Sequence, residues 1–193
     1  VKEAILAKAR ESAETSLRFF EVNFERIERC ARELAERFSR GARIFTFGNG
    51  GSACDAQHVA VEFLHPITEK RRALPAIALS ADVATITSIG NDSDFSRTYA
   101  DALSVLARGE DIALGISTSG ASANVVRALR RARELGLFTV GFAGRDGGLM
   151  RDACDHSFIV ESWSIHRIQE THVALLHVLW DAVHVALGEE DVL

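Results

Sequence analysis

The sequence predicts an α/β fold: a single doubly wound domain over residues 1–193, with a five-stranded parallel sheet flanked by helices and an N-terminal helical extension over 1–40. Three observations predict it. Short, unbroken apolar runs recur five times, helical patterns fill the gaps between them, and glycines stand where strands end or helices stop. Strands covered by helices on both faces need apolar residues at every position, so they read as continuous runs rather than alternating ones.

From the N-terminus, no Gly or Pro interrupts residues 2–40, and apolar residues recur at helical intervals: Ile5, Ala9, Ala13, Leu17 and Phe20, then Phe24, Ile27, Cys30, Ala31, Leu34 and Phe38. One long helix or two in succession, broken near 21–23, fits this pattern. Leu17, Phe19, Phe20 and Phe24 put apolar bulk on more than one face, which favours packing against other copies over a plain helical cover. Strands are expected at 42–47, 75–79, 112–116, 138–142 and 156–160. Helices are expected at 53–64, 82–89, 95–107, 122–135, 147–153 and 166–187. No linker, repeat or low-complexity segment divides the chain.

Composition excludes several classes. A net charge of −5 argues against a nucleic-acid surface. The two dense basic clusters, Lys70-Arg71-Arg72 and the arginines of 127–133, read as solvated faces. No segment approaches the roughly 20 apolar residues of a membrane span, and the amphipathic, charged start does not form a signal peptide. Cys30, Cys54 and Cys154 are odd in number and lack CxxC spacing, as expected of a cytoplasmic protein. Cys54, with no base partner in view, reads as a small buried residue.

The chemistry gathers in the stretch 45–65, FTFGNGGSACDAQHVAVEFLH. An apolar strand turns through Gly48, Asn49, Gly50, Gly51 and Ser52 into a helix, aiming backbone N–H groups and the helix dipole at one spot suited to an anion. That helix carries Asp55, His58 and Glu62 along one face. A second strand ends in Ser117, Thr118, Ser119, Gly120, Ala121 and Ser122 before another helix, offering hydroxyl and main-chain donors to phosphate oxygens. Ser122 or Ser119 could serve instead as an ordinary helix N-cap. In the last helix Gln169 and His177 lie within about 80° of each other around the axis and can face a common site. His172 falls about 60° to the other side, and His184 lies about 10 Å beyond His177 along the axis. Both read as packed core histidines.

These residues resemble the phosphoheptose isomerases of the SIS (sugar isomerase) superfamily. The likeness runs through GNGGSACDAQHVAVEF, PAIALS, GND at 90–92, LGISTSGAS and RIQETHVALLH. It implies the five-stranded SIS fold, a homotetramer with the N-terminal helices at its centre, and active sites at subunit interfaces. The implied reaction interconverts sedoheptulose 7-phosphate and D-glycero-D-manno-heptose 7-phosphate for ADP-heptose synthesis. By position, the resemblance makes His58, Glu62, Gln169 and His177 ligands of one Zn2+ per subunit, with Glu62 and His177 also the acid/base pair. It places Ser52, Ser117, Thr118, Ser119 and Ser122 on phosphate, and Asn49, Gly50, Gly51, Asn91, Asp92, Glu62 and Gln169 in the substrate site.

The residue types agree with that chemistry. Aldose–ketose isomerisation shifts a proton between neighbouring carbons through an ene-diol(ate), and needs a base, a group to handle hydroxyl protons and positive charge near the oxyanion. A metal can supply the last of these. Two departures bear on the identity of the sugar. The family commonly has Gly-Arg where this chain has His65-Pro66, leaving Lys70, Arg71 or Arg72 as replacements. An acidic residue often precedes RIQE, where this chain has Ser164-Ile165-His166. A non-catalytic phosphosugar-binding or replication-initiator-binding protein, and an isomerase of another sugar phosphate, are the alternative readings.

Overall fold

The computed structural model describes residues 1–67 and 71–191. Five strands, β1 (Ile44–Gly48), β2 (Ala76–Ala78), β3 (Ile112–Ser117), β4 (Phe138–Gly144) and β5 (His156–Val160), pair in parallel in the order β2-β1-β3-β4-β5. Around them run α1 (Lys2–Ser39), α2 (Gly51–Leu64), α3 (Val83–Asp92), α4 (Thr98–Leu106), α5 (Ala123–Glu134) and α6 (Ile165–Ala186). Every expected strand is present.

Successive strand residues point to opposite faces, and both faces are covered. Ile44, Ile112, Leu114, Ile116, Val140 and Phe142 pack with α1, α2 and α6. Phe45, Phe47 and Ala113 pack with α4 and α5. A fully buried side chain such as Phe45 or Phe47 contributes about 1.5–3 kcal/mol relative to leaving it in water. At the amino ends of the strands Asp111 accepts the backbone N–H of Arg43 at 2.8 Å and pairs with its guanidinium at 2.7 Å. Burial alone would raise the Asp111 carboxyl, but the hydrogen bonds from Arg43 and the Arg108 N–H hold it below the usual range.

Helix α1 is one unbroken element rather than two. At the suspected break Asn23 is buried, and its side-chain amide donates to the Phe19 carbonyl at 2.8 Å, so the polar group is satisfied within the helix. Two other helical expectations need correction. Residues 95–107 divide into a 3₁₀ turn, Phe95–Arg97, and α4. Residues 147–153 contain only the 3₁₀ turn Gly148–Met150, because Gly147 and Gly148 adopt left-handed backbone conformations (φ +87° and +47°) that an α-helix cannot use. In the basic triplet Arg72 is exposed, as expected of a solvated face, but Arg71 is buried against Asp181 and its guanidinium lies 4.6 Å from the Trp180 ring centre. Lys70 lies outside the described residues. Cys54 is exposed, on the outer side of α2, rather than buried.

The topology sets the position of the site. From β1 the chain passes through α2 to the edge strand β2, then returns across the other face to β3. Adjacent strands β1 and β3 thus send their following loops in opposite directions, opening a crevice at their carboxyl ends where α/β folds bind ligands.

Candidate active site

Both anion-binding stretches of the sequence leave from this crevice. Gly48 of β1 is in register with Ile116 of β3, one residue before Ser117. A methyl group on Gly48 would overlap the Ser52 carbonyl, so the turn into α2 is as tight as backbone allows. Gly50 caps α2 at φ +54°, and no side chain closes the end of the helix. The helix rule leaves the N–H groups of Gly51 and Ser52 without intrahelical acceptors. Ser122 stands at the N-cap of α5, yet its hydroxyl does not cap that helix either. It lies 2.8 Å from the Ser117 hydroxyl, which is 3.3 Å from that of Ser119. Among the α-helices only α3 starts on a side-chain cap, Asp82 accepting the Thr85 N–H; α1, α4 and α6 also begin without one. The two uncapped helix heads meet at one crevice, and three serine hydroxyls converge beside them. Of the two candidate caps, only Ser119 makes a local turn contact, accepting the Ala121 N–H at 3.2 Å.

The two loops are tied together through Asn49 by two residues that sequence reasoning missed, Asn124 and Tyr99. Asn49 and Asn124 exchange side-chain amide hydrogen bonds at 2.8 and 2.9 Å, and the hydroxyl of Tyr99 donates to the Gly48 carbonyl at 2.5 Å. Tyr99 is the chain's single tyrosine and Asn124 opens α5 two residues after Ser122. These were the only local hints of either role.

Further along α2 the His/Glu pair meets α6. His58 Nε2 lies 3.2 Å from Glu62 Oε1 and 3.2 Å from His177 Nε2, and the donor atoms of the three residues all fall within 4.8 Å of one another. Residues 58 and 62 share a helix face by their i, i+4 spacing, and α6 packs alongside α2 to deliver His177. Two imidazoles and a carboxylate are a donor set that suits zinc. Ligand atoms about 2.0–2.1 Å from a tetrahedral zinc stand about 3.3 Å apart, close to the His58–Glu62 and His58–His177 separations, while the trio as a whole, spanning up to 4.8 Å, would have to draw together around an ion. Two imidazole nitrogens and a carboxylate oxygen facing each other repel unless a proton or a cation stands between them. Asp55, a turn before His58, is buried with one carboxylate oxygen unpartnered. Burial pushes it up to about 6, with His58 partly opposing.

Gln169 stands at the head of α2. Its side-chain amide nitrogen lies against Gly51, seven residues and about 10 Å of helix before His58. That position suits contact with a ligand at the glycine loop. Asn91 and Asp92 sit exposed at the end of α3, hydrogen-bonded to each other at 2.8 Å, and α3 buries no residue. Within one protomer no contact brings them to the crevice. His172 and His184 are fully buried, as expected of core residues. His172 donates to the Ala143 carbonyl at 3.0 Å, and desolvation lowers its imidazole to about 4. His184 pairs with Glu189 at 2.9 Å. Arg72 pairs with Glu189 as well, at 2.8 Å. Arg71 and Arg72 are therefore held at the far end of α6 from Gln169 and do not replace the arginine absent at Pro66.

A SIS domain model matches residues 9–144. The phosphoheptose isomerase of Aquifex aeolicus (strain VF5) is 43% identical over 182 residues, covering 94% of this chain and 95% of that one. Solved structures of phosphoheptose isomerases from Francisella tularensis and Neisseria gonorrhoeae superpose with TM-scores of 0.90 and 0.87. They are 31% and 33% identical, and cover 95% and 94% of this chain and 97% of each of theirs. Similarity of this extent spans the N-terminal helix, both loops and the trio-bearing helices alike, and the chain belongs to the phosphoheptose isomerase family of SIS-domain proteins.

Proposed function

We propose that the chain is an aldose–ketose isomerase that converts sedoheptulose 7-phosphate to D-glycero-D-manno-heptose 7-phosphate, supplying ADP-heptose synthesis. The observation that carries this reading is the meeting of Glu62, His58 and His177 on two helices, beside a crevice that offers two uncapped helix heads and a serine cluster. The family relationship gives that geometry its substrate class.

In the proposed reaction the phosphate rests on Ser52, Ser117, Thr118, Ser119, Ser122 and the N–H groups of Gly50 and Gly51. Asn49 of the glycine loop and Gln169 of α6, whose side chain reaches Gly51, face the sugar. Glu62 takes the proton from the carbon next to the carbonyl and returns it to the neighbouring carbon. His177 moves the hydroxyl proton in step, so that neither oxygen carries a full charge. His58, Glu62 and His177 would hold one zinc ion per subunit, which would polarise the carbonyl and offset charge on the ene-diolate. Gln169 would contact substrate from its position at Gly51, and it is the fourth ligand that the family resemblance implies.

The same reading makes residues 1–193 one SIS domain acting as a cytoplasmic homotetramer. Exposed Phe24 borders an apolar groove of about 920 Å³ that Ile27 shares with Val178, Ala182 and Val185 of α6, a surface suited to another copy. Among the described residues no helix is long and apolar enough to cross a membrane. Asn91 and Asp92, exposed on a helix that buries nothing in its own protomer, would then meet substrate in a neighbour's crevice. The deciding experiment is a turnover assay on sedoheptulose 7-phosphate beside shorter ketose phosphates. Preferred turnover of the heptulose supports the proposal. Preference for a shorter sugar reassigns the substrate, and binding without turnover of any of them overturns the enzyme reading.

A further inference from the structure

Arg145 is the one non-glycine residue, among those described, with a left-handed backbone (φ +59°). For an L-residue with a Cβ this conformation costs about 1–2 kcal/mol, and glycines stand close by at 144, 147 and 148. A side chain kept where glycine fits better points to a use for that side chain. The backbone is pinned, with the Arg145 N–H donating to the Ser162 carbonyl at 3.2 Å. The guanidinium lies over Trp163, 5.4 Å from the ring centre. Trp163 itself is 75% exposed, unusual for so large an apolar ring.

The position is specific. Arg145 follows β4 at the same edge of the sheet as the serine loop. The preceding residue, Gly144, is wedged between that loop and α6: a methyl group there would stand 2.6 Å from the Thr118 carbonyl and 2.5 Å from Ile168, the neighbour of Gln169. Arg145 is thus one residue along the backbone from the packing of Gly144 on the serine loop.

Its charge is also uncompensated. Arg43, Arg71, Arg72 and Arg133 each pair with a carboxylate. Arg145 pairs with none among the described residues, and its Nε is buried without a hydrogen-bond partner. The carboxylate of Asp146 beside it accepts the Gly148 N–H, and the Asp146 backbone carbonyl accepts from the Arg151 guanidinium. The loop hydroxyls and amides carry no formal charge with which to meet a phosphate dianion. A guanidinium does, and its planar fork matches phosphate oxygens.

We propose that Arg145, braced on Trp163, is the cation that receives the phosphate end of the substrate at the serine loop. This rests on the phosphosugar reading above. When phosphate binds, the guanidinium turns its free N–H groups to the phosphate oxygens while Trp163 keeps the stem in place.

The test is titration calorimetry with inorganic phosphate, together with KM and kcat for sedoheptulose 7-phosphate and thermal melts. Arg145→Gln is expected to weaken phosphate binding about tenfold, with the loss in turnover falling on KM rather than kcat, and Arg145→Lys to recover part of it. Arg145→Gly should lose the same affinity while melting no lower than wild type, because glycine relieves the backbone. A lowered melting temperature with unchanged affinity in Arg145→Gly would make the residue a structural brace and overturn the proposal. Ser117→Ala separates the two readings. If it weakens phosphate binding while Arg145→Gln does not, the serine loop stands and the arginine assignment falls. If neither variant changes phosphate binding, both fall.

Discussion

Glu62 carries two duties in the proposed reaction, as metal ligand and as base, and both need it ionised and close to His58. Glu62→Gln and His177→Ala are expected to abolish turnover while leaving sugar-phosphate affinity within about tenfold, a shift of ~1.4 kcal/mol. Equilibrium binding beside a turnover assay checks this, and full activity in either variant removes that residue from the mechanism. Chelation should lower activity and added zinc should restore it; metal analysis of the same samples shows whether the ion actually left. His172 makes a prediction of a different kind. Its imidazole titrates near 4 in the fold because burial disfavours the charged form, against about 6.5 unfolded. The unfolded chain then binds the extra proton first, so stability falls as pH drops from about 6.5 towards 4, by roughly 3 kcal/mol in all. Urea unfolding of chelated protein at pH 7 and pH 5 should show the drop, and His172→Gln, which keeps a donor for the Ala143 carbonyl, should flatten it.

At the scale of elements, the glycine turn between β1 and α2 matters more than its length suggests. Gly48→Ala would press a methyl group onto the Ser52 carbonyl and bring it within 3.0 Å of the Ile116 carbonyl. Both obstacles are backbone, so the loop must move. We expect a stability cost of about 1–3 kcal/mol and phosphate affinity reduced at least tenfold, measured by denaturation and calorimetry. This turn, like the strands and the serine loop, was legible in the sequence, because apolar runs and strand–glycine–helix transitions are local patterns. Features that depend on distant partners were not. Arg71 belongs to a basic triplet that reads as solvent-facing, and only the arrival of Asp181 and Trp180 from α6 explains its burial. Tyr99 and Asn124 gain their roles from chain neighbours some 50 and 75 positions away. The expected helix at 147–153 had a helical composition, but two left-handed glycines that pack against Gly120 stop it. The site divided the same way. Helix periodicity placed His58 with Glu62 on α2 and turned His177 towards a site on α6, and only the resemblance joined the three, whereas Gln169 against Gly51 depends on how α6 is set along α2.

Across the whole molecule, α1 carries large apolar side chains that its own protomer leaves in water. Phe24 and Leu17 of α1 are each 62% exposed, and Phe24 borders the groove that α6 shares. Phe24→Glu is expected to reduce the assembly to a smaller species, read by light scattering, with a loss of activity if Asn91 and Asp92 act across a subunit boundary. An unchanged mass would place the interface elsewhere. The side-by-side course of α2 and α6 has a consequence for which sugars fit. The anion grip lies at the head of α2 and the trio that includes the base begins nearly two turns down it, with Ser52 and His58 fixed roughly 9 Å apart and Glu62 about one turn further along a rigid rod. Helix α2 thereby acts as a ruler: a carbon chain must be long enough to keep its charged tail at one mark while its carbonyl reaches the other, and truncated ketoses would dock without ever arriving at the base.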